Sequence, residues 1–129
     1  MSEQEELSIQ SVEQTHQDLV DCVRRAVESE GLIIFKAHGM LSKGFIPDVI
    51  TNIDGSRNGW VLIDVINSEE SLLRDIAGLL IVKANVQDRG DRVTAILCVC
   101  SYNVRSLEFM RAFLCLHSEI LMIRIEDIT

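Results

Sequence analysis

Apolar residues recur at Val12, Leu19, Val20, Val23, Ala26 and Val27, a helical spacing with a polar opposite face. Ser11 and Gln14 stand three apart, as in a capping box, and Gly31 follows as a stop signal, so the pattern predicts a helix over 11–30. The period then changes. Leu32-Ile33-Ile34-Phe35, continuing to His38, reads as a strand, and a polar, glycine-bounded loop follows over 39–44. Pro47 to Ile53 and Trp60 to Asn67 read as two further strands. Asp54-Gly55-Ser56-Arg57-Asn58-Gly59 between them is dense turn chemistry, so they should form an antiparallel hairpin. Ser68 is a good N-cap with Glu69 and Glu70 in the first turn, opening a helix that runs to about Val86. Arg92 to Cys100 is a continuous apolar strand, the mark of a buried central position. Asn103 caps a predicted helix over 104–117, and Glu119 to Glu126 is a last, partly alternating strand.

The expected order is therefore α-β-β-β-α-β-α-β. A hairpin that feeds two β-α-β crossovers predicts an α/β fold: a mixed central sheet with helices on its faces. The chain has 129 residues, the size of one domain, with 1–10 as an acidic tail and 11–129 as a single α/β domain. Hydrophobic residues at 47% and charged residues at 25% exclude intrinsic disorder. The longest apolar run, Ala77 to Val82, is too short to span a bilayer, and the acidic N-terminus does not read as an export signal. The expectation is a cytoplasmic protein with no membrane partner.

Charge narrows the partners. The formal net charge is −8, and it is uneven: residues 1–30 hold eight acids and two bases, leaving the rest of the chain at −2. Nucleic-acid affinity rests on phosphate neutralisation by Lys and Arg, so binding over the whole surface is disfavoured, although a local basic strip remains open. Cys22, Cys98, Cys100 and Cys115 read as reduced thiols, and His16, His38 and His117 have no finger-like spacing to the Cys98/Cys100 pair. His16 and His117 fall on helices at half-exposed positions, and His38 reads as a solvated strand-end residue. There is no glycine-rich dinucleotide loop, phosphate loop or nucleophile elbow.

Two carboxylates stand out. Asp48 follows Pro47 at a strand start, where an ordinary turn hydrogen bond would explain it. Asp64 sits inside Val-Leu-Ile-Asp-Val-Ile, where an unpaired buried carboxylate is costly, so it should be paired, bound to a metal or placed at a sheet end. Their relation depends on register. Pairing Ile53 with Trp60 sets Asp48 opposite Val65 and Asp64 on the other face; a one-residue shift sets the two aspartates opposite each other on one face.

The element order, Glu30-Gly31-Leu32-Ile33-Ile34-Phe35, Pro47-Asp48-Val49-Ile50 and Trp60 to Ile66 together resemble the PD-(D/E)XK nuclease superfamily, which includes archaeal Holliday-junction resolvases and restriction endonucleases. The likeness runs from about Asp18 to Glu126. It implies a restriction endonuclease-like fold, with Asp48 and Asp64 as ligands of Mg²⁺ for phosphodiester hydrolysis. An acid on the first helix, Asp18 or Asp21, would assist. The family's Lys lies two residues after the second acid, on the same strand face, to position the attacking water. Here that position is Ile66, which carries neither charge nor donor. Lys36, Lys43 and Lys83 are the substitutes, and Lys36 is the best placed because its strand can neighbour the hairpin.

The first expectation is therefore a nuclease-fold protein with a decayed metal site, a pseudoenzyme serving as an interaction or assembly module. Apolar Phe109, Met110, Phe113, Leu114 and Leu116 exceed what one sheet face needs and suggest a homodimer or a protein partner. The alternative is an active Mg²⁺-dependent DNA endonuclease or junction resolvase in which Asp48, Asp64 and Lys36 are catalytic. A third reading is a small regulatory α/β domain unrelated to nucleases.

Overall fold

The computed structural model describes residues 3–36, 45–101, 117 and 119–128, with side chains from Thr15 onward. The elements are α1 (Glu3–Ser29), β1 (Val49–Asn52), β2 (Trp60–Ile66), α2 (Glu69–Asp88), β3 (Val93–Cys100) and β4 (Ile120–Arg124), then a 3₁₀ turn over Ile125–Asp127. The four strands form one mixed sheet in the order β1-β2-β3-β4. β1 and β2 are antiparallel, whereas β2, β3 and β4 run parallel. The α/β class, the hairpin and the crossover through α2 agree with the sequence pattern.

The sheet divides two apolar layers. On one face Leu62, Ile66, Ile96 and Ile50 pack with Leu72, Ile76, Leu79, Val82 and Val86 of α2. On the other, Val49, Val61, Ile63, Val65 and Val99 meet Val20 and Val23 of α1. Successive residues of β2 alternate between the layers, and Asp64 takes a place on the α2 side. Among the described residues, no helix is long and apolar enough to cross a membrane.

Three boundaries differ from expectation. α1 begins at Glu3, so it takes in residues 3–10 and Ser11 lies inside it. Glu residues are good helix formers and suit the positive end of the helix dipole, which outweighs the capping signal at Ser11. Gly31 ends the helix as expected, at φ +79°. The strand expected from Leu32 narrows to a bridge between Ile34 and Thr51. Phe35 N–H donates to Ile50 O at 2.9 Å, but the neighbouring Ile33 carbonyl accepts the Thr51 hydroxyl at 2.8 Å, a side-chain donor in place of a ladder amide. β1 starts two residues later than the sequence suggests because Pro47 has no N–H to give the ladder. The helix expected over 104–117 falls almost wholly outside the described residues, as do Phe109, Met110, Phe113, Leu114 and Leu116.

Candidate functional site

The hairpin register decides where the aspartates meet. Val49 pairs with Ile63, Ile50 with Leu62, Thr51 with Val61 and Asn52 with Trp60. One step beyond Val49 and Ile63, Asp48 stands opposite Asp64 on the same face. This is the shifted register of the two left open by the sequence. The turn fixes it. Asn52 Oδ1 accepts from Asp54 N and Gly55 N at 3.1 and 2.7 Å, Asp54 Oδ1 accepts from Ser56 N at 2.8 Å, and Ile53 N–H closes onto Gly59 O at 3.0 Å.

That last bond marks which pairs exchange hydrogen bonds. Pairs alternate along an antiparallel ladder, so 53/59, 51/61 and 49/63 are bonded pairs, and the next would be Pro47 with Val65. Pro47 cannot donate to Val65 O. Side chains finish the ladder instead. Asp48 Oδ2 accepts the Val65 N–H at 2.7 Å, and His16 Nε2, from α1, lies 3.2 Å from Val65 O and 3.3 Å from Asp48 Oδ2. With its proton on Nε2, His16 donates where proline cannot.

Asp64 is 4% exposed, and its Oδ1 accepts the Asp48 N–H at 3.3 Å. Burial pushes its carboxyl up to about 9, reinforced by the Asp48 charge beside it and by Asp75. Asp75 comes from α2 and shares a hydrogen bond with Asp64. Its own carboxyl is raised by burial, against the pull of Arg74, whose Nε is 3.5 Å away. Cys98 is paired with Asp64 across β2 and β3, and burial lifts its thiol to about 12. A neutral Asp64 has a proton to give to an ionised neighbour, so the cluster is a set of carboxyls sharing protons. Among the described residues, no group of three or more His, Cys, Asp or Glu side chains is arranged to hold a metal ion.

The other sequence candidates are scattered. Lys36 is exposed and lies two residues beyond the Ile34–Thr51 bridge, outside any strand. Among the described residues it makes no ion pair with Asp48 or Asp64. Lys83 is bound to Glu119 at the opposite end of the sheet, where β3 and β4 begin. Lys43 and His38 lie outside the described residues. Ile66 is 1% exposed and packs in the α2 layer. Asp18 and Asp21 are exposed, and Asp21 accepts from Gln17 Nε2 at 2.9 Å.

Sequence reading passed over two members of the cluster, His16 and Asp75. Asp75 had a signal: it lies between Leu72 and Ile76 on an otherwise apolar face of its helix. His16 had none, because its role is created by a missing amide at Pro47. Comparison with known proteins finds no matching family model, no matching curated protein and no matching solved structure.

Proposed function

We propose that this chain is a restriction endonuclease-like protein whose metal site has decayed, and that it acts as a non-catalytic interaction or assembly module. Support comes from the mixed sheet with helices on both faces and the two aspartates opposed across its hairpin. One observation carries the loss of activity. One oxygen of each carboxylate is engaged by backbone, Asp48 Oδ2 by Val65 N–H and Asp64 Oδ1 by Asp48 N–H, while the residue two beyond Asp64 is the buried Ile66. Mg²⁺ takes near-octahedral oxygen ligands and dehydrates reluctantly, so it competes poorly for oxygens already engaged. An aliphatic side chain at the position of the expected amine supplies neither a donor nor a charge. The module reading draws on exposed apolar residues around the β1 edge, Ile33 (69%), Ile46 (64%) and Ile53 (54%).

The test is incubation with branched and linear DNA in Mg²⁺ or Mn²⁺, with Asp64→Ala as control. No cleavage above the control is expected. Cleavage that Asp64→Ala abolishes would reject the proposal and establish the active-nuclease alternative, which the third nearby carboxylate, Asp75, favours. Light scattering tests the assembly: a mass twice that of the 14.5 kDa chain is expected, and a monomer at high concentration counts against a homodimer.

A further inference from the structure

The end of the sheet away from the aspartates holds a polar cavity of about 320 Å³ lined by Lys83, Gln87, Arg92, Val93, Thr94 and Glu119. α2 contributes Lys83 and Gln87 one turn apart, the start of β3 contributes Arg92 to Thr94, and Glu119 immediately precedes β4. Lys83 and Glu119 form an ion pair with side chains 22% and 18% exposed, and His117 Nδ1 lies 3.7 Å from the same Glu119 oxygen. Burial is the largest single influence on Glu119 and pushes its carboxyl up, but the Lys83 hydrogen bond, its own backbone amide and the charges of Lys83 and His117 together outweigh it and hold the carboxyl below its ordinary range. Lys83 is thereby fixed at the cavity wall with donors to spare, since an ammonium has three.

Arg92 is anchored through its backbone, its N–H donating to Arg57 O at 2.8 Å and its carbonyl accepting the Trp60 N–H at 3.3 Å. Its guanidinium is exposed and makes no ion pair among the described residues. Lys83, held by its ion pair, and Arg92, anchored by its backbone, therefore share the cavity with one carboxylate, a local excess of positive charge on a chain of net charge −8. Thr94 and Gln87 add a hydroxyl and an amide at the rim. The volume is at the low end for small-molecule sites, so the occupant is small.

We propose that this cavity binds a small phosphate monoester, with Arg92 forking onto the phosphate oxygens, Lys83 as the second cation, and Glu119 accepting a hydroxyl of the same ligand. This site is independent of whether the aspartate cluster is inert. The probes are inorganic phosphate and glycerol phosphate, followed by amide NMR shifts against chloride and acetate at matched ionic strength. Saturable shifts centred on Gln87, Thr94 and Glu119 are expected with both phosphates. Arg92→Ala should weaken the affinity by roughly tenfold or more. Thr94→Val, also at an exposed position, should weaken it less. The proposal is overturned by shifts that do not saturate, by equal responses to acetate, or by unchanged affinity in Arg92→Ala.

Discussion

The Asp48 carboxylate accepts the Val65 N–H at 2.7 Å, at the ladder step where Pro47 has removed a backbone donor. Asp48 is therefore a structural residue as well as half of the aspartate pair. Asp48→Ala leaves the Val65 amide without its acceptor at a buried strand end, at a cost of about 1–3 kcal/mol. Asp48→Asn keeps a carbonyl acceptor in the same place and should cost less. Urea unfolding of the two variants checks the order, and an alanine variant as stable as the parent refutes it.

Asp64 predicts an unusual pH dependence. Its folded-state carboxyl is pushed up to about 9 by burial and by Asp48, against an unfolded value near 4. The folded chain therefore holds a proton that the unfolded chain releases across that window. The stabilisation is full below about pH 4 and is lost as pH rises towards 9, with a slope of up to about 1.4 kcal/mol per pH unit. Asp64→Asn holds its amide protons at every pH. The stability difference, variant minus parent, should grow from pH 5 to pH 8, reaching about 1–3 kcal/mol in favour of asparagine. A difference that shrinks over that range has the wrong sign for a raised carboxyl.

How far these features can be read from the sequence depends on how local their causes are. The hairpin, the Ser68 cap and the Gly31 stop rest on neighbouring residues, and each stands where the sequence puts it. Asp64 announces itself as a charge inside an apolar strand. Its pairing with Asp48 does not, because a one-residue change in register reverses the answer and the register is set by hydrogen bonds within the Asn52–Gly59 turn. His16 joins the site from a helix thirty-two residues upstream of Asp48, through a backbone vacancy that no periodicity records. The short first strand is a similar case, since the Thr51 hydroxyl takes the place of a ladder amide.

At the other end of the hairpin, Asp91 ties the turn to β2. It accepts from Arg57 Nε at 2.6 Å and from Trp60 Nε1 at 3.2 Å, and the Phe35 ring meets Trp60 edge-on with centroids 5.0 Å apart. The Arg57 hydrogen bond is the main force holding the Asp91 carboxyl below its ordinary range. Its contribution is present above about pH 4 and is lost as the carboxyl is protonated below that. Trp60 is the chain's one tryptophan, so its emission reports this contact directly. An acid-induced emission change is expected in the parent and absent in Asp91→Asn. Identical titrations would detach Asp91 from the tryptophan.

Gly78 sets two magnitudes against each other. It lies inside α2, where replacing glycine by alanine normally gains about 1 kcal/mol of helix propensity. A Cβ built there would stand 2.4 Å from Cγ and Cδ2 of Phe45, whose ring packs against the α2 layer of the core. Those atoms sit at the root of the ring rather than at the end of a flexible chain, so relief requires moving the whole aromatic side chain. Overpacking of this kind costs about 1–3 kcal/mol, which exceeds the gain in propensity. Gly78→Ala should therefore lower the thermal midpoint, and adding Phe45→Leu should recover part of the loss by opening the space. If the single variant is instead more stable than the parent, the Phe45 ring gives way easily and propensity decides the sign.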